Sequence, residues 1–343
     1  MKEMKKITIC SLLFLTSFLG LMVNGESIAA QENAGADFSA RPLLEERQID
    51  DKLGYWWLNV KSGEELTLYI QINNGKQKNT FYITSNQAIT NSNFVIDYGL
   101  KEDETKNFLS HTKVFDFYRD VLIGEKKGSG SATVVLQPGE SKKIPLRVRI
   151  PSSWTNKIAI GGINVTRRAN EVEKEQSLLN IYSSAFALIL QSGERDKSAS
   201  LALSAGEMKT DEQFIRLKNT KNVLQEKTQL SVSIKDRKGN LYSSLDYPSG
   251  TVVPYADILL PLQVKKALDK GGEYKLDIEA RQENKTLKEV YLLRVDSEGK
   301  VQVSPQSAKQ KAKANFLWLG ALALGGGVTG FISYSLKRRR EKN

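Results

Sequence analysis

The sequence predicts an all-β chain: two immunoglobulin-like β-sandwich domains followed by one C-terminal transmembrane helix. Three observations lead there. Apolar and polar residues alternate with period two through most of the chain, as on strands with one buried face. Gly, Pro, Asn and Asp recur at intervals of roughly ten residues, a spacing that suits sandwiches of short strands. Charge-free apolar runs lie near both ends, and the second is long enough to cross a bilayer.

Residues 1–30 read as a secretory signal peptide. Lys2, Lys5 and Lys6 precede the run ICSLLFLTSFLGLMV, and the small residues Ser27, Ala29 and Ala30 follow it. Cys10, the only cysteine, lies inside that run, so the exported part has no disulfide and must be held by its core. At the other end, residues 316–334 (FLWLGALALGGGVTGFISY) form a candidate membrane helix. Residues 335–343 follow it as a basic tail carrying Lys337, Arg338, Arg339 and Arg340, which the positive-inside rule assigns to the cytoplasm. The expected location is the cell membrane, with a single C-terminal span and the bulk of the chain outside. The formal charge of +11 falls to about +6 once both ends are set aside, spread without a dense block. That surface is either a solvated basic face or one suited to an anionic wall or acidic partner; no basic-aromatic reading motif points to nucleic acid.

The first domain is expected over residues 31–168. In GYWWLNV, Trp56, Leu58 and Val60 point to one side while Tyr55, Trp57 and Asn59 point to the other. Trp56 is then expected in the core, and Trp57 on the polar side. After Lys61-Ser62-Gly63-Glu64-Glu65 the alternation resumes through Leu66, Leu68, Ile70 and Ile72, which predicts a hairpin. A similar phrase, TVVLQPGESKKIPLRVRIP (133–151), predicts a second one. Residues 105–122 break the alternation and predict a helical turn or a long excursion. IAIGGINVTRR supplies the last strands.

Residues 168–177, RANEVEKEQS, are charged and apolar-poor and mark the boundary to a second β-domain over 169–296. Its expected strands are IYSSAFALILQS, QFIRLKNT, TQLSVSIKDRKGNLYSS, DILLPLQV, EYKLDIEARQ and KEVYLLRV, with turns at Lys238-Gly239-Asn240, Pro248-Ser249-Gly250 and Gly271-Gly272. Residues 297–315, polar and rich in lysine, read as a stalk.

No catalytic set stands out. His111 is the only histidine, without a carboxylate cluster near it in sequence, and no Gly-x-Ser-x-Gly elbow is present. Acidic runs such as Glu102-Asp103-Glu104 lie in turn-like stretches, whereas a hydrolase needs two carboxylates held apart in a cleft. Asp236-Arg237-Lys238-Gly239-Asn240 lacks the ligand spacing of a calcium loop and reads as a hairpin turn. The chain is therefore expected to be no enzyme and to need no cofactor or metal. The stretch SNQAITNSNFVIDYG (85–99) offers uncharged amides and hydroxyls suited to sugars or peptides, with Tyr98 or Trp57 as a stacking plate; the same residues also suit plain turns.

DFSARPLLEERQIDDKLGYWWLNVKSGEELTLYIQINN, then SNQAITNSNFVIDYG, then IPSSWTNKIAIGGINVTRR resemble the N-terminal domain of the WxL-interacting protein family of Gram-positive bacteria. GEMKTDEQFIRLKNTKNVLQEKTQLSVSIKDRKGN and GGEYKLDIEA resemble that family's second domain. The resemblance implies a surface scaffold whose first domain binds peptidoglycan and whose second engages host or surface proteins, including wall proteins of the WxL type. Trp56-Trp57-Leu58 spells that signature by coincidence. Candidate peptidoglycan-binding residues are Tyr55, Trp57, Asn86, Thr90, Asn91, Asn93 and Tyr98. The alternatives are a direct adhesin for host extracellular matrix without a WxL partner, and a wall hydrolase.

Overall fold

The structure, a computed structural model, describes residues 37–306 apart from 111–114, 125–128, 176–180, 195–197, 199 and 284. The expected signal peptide, transmembrane helix and tail, with Lys337, Arg338, Arg339 and Arg340, lie outside the described residues, as does His111. Among the described residues no helix is long and apolar enough to cross a membrane.

The first unit contains β1 (Phe38–Leu43), β2 (Trp56–Asn59), β3 (Glu65–Asn74), β4 (Asn79–Gln87), the short pair β5 (Ile89–Thr90) and β6 (Ile96–Asp97), the one-turn helices α1 (Glu102–Thr105) and α2 (Phe117–Asp120), β7 (Val121–Ile123), β8 (Ser131–Leu136), β9 (Ser141–Arg149), β10 (Ile158–Arg167), the one-turn α3 (Glu171–Lys174) and β11 (Ser183–Gln191). Among the described residues these make a four-stranded sheet in the order β1-β3-β9-β7 and a five-stranded sheet in the order β2-β11-β10-β4-β8. Their inward residues, Trp56, Leu68, Ile70, Phe81, Leu146, Ile163 and Leu190 among them, form one buried core. The second unit contains β12 (Leu201–Met208), β13 (Gln213–Asn219), β14 (Gln225–Asp236), β15 (Leu241–Val252), β16 (Asp257–Pro261), β17 (Gln263–Val264), β18 (Glu273–Gln282), β19 (Lys285–Val295) and β20 (Val301–Pro305). They form a three-stranded sheet, β12-β13-β16, and a six-stranded sheet, β17-β15-β14-β18-β19-β20.

Several expectations need correction. The two predicted hairpins are corners between layers: β2 and β3 belong to different sheets, and so do β8 and β9. In a two-layered unit both sheets turn their apolar sides to one core, so alternation across a tight turn reads the same for a hairpin and for a corner. The strand IYSSAFALILQS, expected to open the second domain, is β11 of the first. It pairs antiparallel with β10 and parallel with β2. Part of the expected stalk is strand too, since Val301–Pro305 pairs with β19. Pro248-Ser249-Gly250 is no turn but an irregular stretch within β15, where the register against β14 shifts.

The charged segment after β10 is a lock rather than a boundary. Arg167, buried, makes a paired hydrogen bond to the Glu173 carboxylate at 2.9 and 2.8 Å. Asn170 caps α3 and exchanges hydrogen bonds with Glu173 in a capping box. Hydrogen bonding from the Arg167 guanidinium, and then from the Asn170 amide, holds the Glu173 carboxyl below its ordinary value of 4.5. The unfolded chain therefore takes up this proton first as pH falls. The stabilisation is complete above about pH 4.5 and is lost as pH drops through the depressed value. Thermal melts between about pH 7 and pH 3 should show Glu173→Gln less stable than the parent at neutral pH and lacking this part of its acid sensitivity.

Candidate functional site

Strand β10 decides what each face of the five-stranded sheet can do. Its inward residues Ala159, Ile163 and Val165 join the first core. Its outward residues Ile158 and Ile160 are buried in a second cluster made mostly by the second unit, which also takes in Ile189 of β11. Two adjacent glycines let the layers close. A Cβ on Gly161 would stand 2.3 Å from the Phe117 ring, and one on Gly162 would stand 2.6 Å from Tyr98. Beyond Gly162 the outward residues Asn164 and Thr166 are only half-buried.

The residues singled out from the sequence gather on the covered half. Trp57 packs against the second cluster with Tyr55, Ile96 and Tyr98, and its indole N–H donates to Gln191 Oε1 at 3.1 Å. Burial raises the Tyr55 phenol, with Glu226 and Asp50 adding to it. Burial, with Tyr55 nearby, pushes Tyr98 up to about 12, so its hydroxyl stays neutral well past the ordinary tyrosine range. Asn86 is buried and donates to the Tyr98 carbonyl at 2.7 Å. Thr90 is fully buried: its hydroxyl donates to the Thr251 carbonyl at 3.0 Å and accepts from the Val253 amide at 3.0 Å. Asn91 closes a turn, its side-chain oxygen accepting from the backbone amides of Asn93 and Val95. Asn93 is exposed on that turn. The stretch is thus a strap that crosses to the second unit, where Phe94 is fully buried and stacks on Tyr247 at 5.3 Å. Gly250 makes room for it, because a Cβ there would lie 2.0 Å from the Phe94 ring.

The open half of the same face is a groove of about 490 Å³. The pleat turns Tyr82, Thr84 and Asn86 of β4 outward while Phe81 and Ile83 point into the core. Across the strands Tyr82 faces Thr166, and Thr84 faces both Asn164 and Ser131. Thr166 and Ser183 share a hydrogen bond of 2.9 Å. Asn164 and Asn86 both donate to the Tyr98 carbonyl, at 2.8 and 2.7 Å, so one backbone oxygen fixes the orientation of two amides. Tyr82 is 37% exposed, and the Arg168 guanidinium lies 5.1 Å from its ring centroid. The strand floor is therefore hydroxyl and amide, with Lys101 and Glu102 on the wall, beside an exposed aromatic ring whose position a cation–π contact holds.

Of the candidate peptidoglycan-binding residues named from the sequence, only Asn86 also lines this groove; the rest of the floor forms no dense polar stretch in the chain. The signal was sparser: uncharged polar residues at alternate positions of NTFYITSNQ, repeated in GINVT. On paired strands those positions fall side by side.

Residues 38–167 match the family model described as WxL Interacting Protein, peptidoglycan binding domain. A search of curated proteins found no match. Among solved structures the chain is similar to the class 5 fimbriae chaperone CfaA, at 12% identity over 74% of this chain and 98% of that one, with a TM-score of 0.32. It is similar also to a chain of the chaperone–tip adhesin complex of CFA/I fimbriae, at 12% identity over 78% and 98%, with a TM-score of 0.31. The third is the CupB2 chaperone of Pseudomonas aeruginosa, at 10% identity over 71% and 92%, with a TM-score of 0.26.

Trp57 packs where the two units meet, so Trp57→Ala should cost stability, about 2–4 kcal/mol for a partly buried ring. Chemical denaturation of the full chain would measure that loss.

Proposed function

We propose, from the WxL Interacting Protein domain matched over residues 38–167, that this chain is a non-enzymatic cell-surface scaffold that grips peptidoglycan in the groove of its five-stranded sheet. The observation that carries this reading is the groove's make-up. Its floor on β4, β8 and β10 lies wholly inside the matched residues, and Ser183 on β11 is the nearest contribution from outside them. Glycans present hydroxyl and acetamido groups that pair with side chains able both to donate and to accept, which Thr84, Ser131, Thr166 and Asn164 do. The apolar face of a sugar ring suits the exposed Tyr82. The strand floor itself carries no charge, so a sugar laid on it leaves the charged groups of Lys101 and Glu102 at the wall.

In the same reading, both two-layered units are immunoglobulin-like, and the second presents a protein-binding face to WxL-type surface proteins or host proteins. The outer face of the six-stranded sheet supports this role with a mixed array of charges, including Lys275 with Asp277 at 2.8 Å and Lys288 with Glu279 at 3.5 Å. Exposed pairs of this kind add little stability but select among partners by charge complementarity. The apolar run at 316–334 supplies the anchor.

Co-sedimentation of the full chain with purified peptidoglycan tests the groove. Tyr82→Ala and Asn164→Ala, combined, should weaken binding about tenfold or more. Trp57→Ala should leave the affinity within about twofold of the parent despite its cost in stability. The opposite ranking would move the glycan to the junction.

A further inference from the structure

The other outer face of the first unit has a different chemistry. Leu66, Leu68, Ile70 and Ile72 of β3 and Ile144, Leu146 and Val148 of β9 enter the core. Their alternates therefore point away from it. The register aligns Arg41 with Gln71 and Gln71 with Lys143 in one row, Thr67 with Arg147 in a second, and Glu65 with Arg149 in a third. At these register positions four cations leave the face against one acid, Glu65, which pairs with Arg149 at 3.4 Å with both side chains more than half exposed. Arg41 donates to the Gln71 side-chain oxygen at 3.1 Å, across the strand pair. Arg147 is half-buried in the middle row, and its Nε has no hydrogen-bond partner among the described residues. Tyr69, 39% exposed, lies between the rows.

We propose that this face is a second binding surface, opposite the groove, whose occupant is a phosphodiester-linked anionic polymer held by Arg41, Lys143, Arg147 and Arg149. Charge complementarity calls for a polyanion. Three of the four cations are arginines, whose planar forks match phosphate oxygens two at a time. Adjacent strands stand about 4.8 Å apart and alternate residues about 7 Å apart, so the cations line a flat strip rather than a pocket. A flexible chain of repeating charges can lie along such a strip, whereas a protein partner draws its affinity from aromatic anchors seated in cavities. The proposal borrows the wall setting from the first unit but does not depend on what the groove binds.

The test uses the full chain with two fluorescent probes, long-chain inorganic polyphosphate and a lipid-free glycerol-phosphate polymer, titrated at several salt concentrations. Binding to both should weaken steadily as salt rises. Arg147→Gln with Lys143→Gln should raise Kd about tenfold, and Tyr82→Ala should leave it unchanged. Arg41→Glu with Lys143→Glu, at exposed positions outside the core, should abolish binding without altering the melting temperature. In the converse arm, peptidoglycan stripped of phosphodiester polymers should bind parent and cationic-face variants alike, which separates failure of this proposal from failure of the groove. Salt-insensitive or undetectable binding to both probes would overturn it, as would variants that bind like the parent. Equal affinity for poly-glutamate would also overturn it, in favour of an acidic protein partner.

Discussion

Everything else in this molecule hangs on the two-sided burial of β10. Its first half is covered on both faces and its second half on one, and the change falls at Gly161-Gly162. Phe117 presses on the pair from the inside and Tyr98 from the outside, each closer than any Cβ would allow. A side chain at either position would overpack a junction that cannot expand, and such strain typically costs about 1–3 kcal/mol. On one side of the pair lies the contact with the second unit. On the other lies the open groove.

That contact is apolar and specific at once. Ile158, Ile160 and Ile189 of the first unit share a cluster with Leu230, Val252 and Leu260 of the second. Phe94 extends it by crossing to the second unit, at a positive φ of 63° that the surrounding packing must hold. Burying such a ring is worth about 1.5–3 kcal/mol, enough to offset that strain. The hydrogen bonds of Thr90 to β15 and the loop after it, and of the Tyr247 hydroxyl to the Ser92 carbonyl at 2.6 Å, add direction to it. A hydrophobic junction of this kind restrains the relative motion that units joined by a linker would have. A first unit attached to the wall would therefore present the second at a defined angle.

Much of the fold was legible in the sequence. The alternation in GYWWLNV put Trp56 in the core, where it is fully buried, and most strands of both units lie where period two placed them. What alternation does not encode is which sheet a strand joins. That is why two corners looked like hairpins, and why β11 was assigned across a charged segment that proved to be the Arg167–Glu173 lock. The site was harder to read for a related reason. Thr90 and Asn91 looked like ligand groups because they are dense in sequence, yet their polar atoms serve turns and the junction, whereas Asn86 does line the groove. The groove residues Thr84, Asn164 and Ser131 are distant in sequence and meet only through strand register.

Photo-crosslinking would locate the glycan on the first unit. A soluble muropeptide bearing a photoreactive group on its sugar would be irradiated with the full chain and the adducts located by mass spectrometry. Adducts are expected in the peptides that carry Tyr82 to Asn86, Ser131 to Thr133 and Asn164 to Arg168. Adducts confined to Tyr55, Trp57 and the strap from Thr90 to Tyr98 would contradict binding in the groove and return the glycan to the face that the second unit covers.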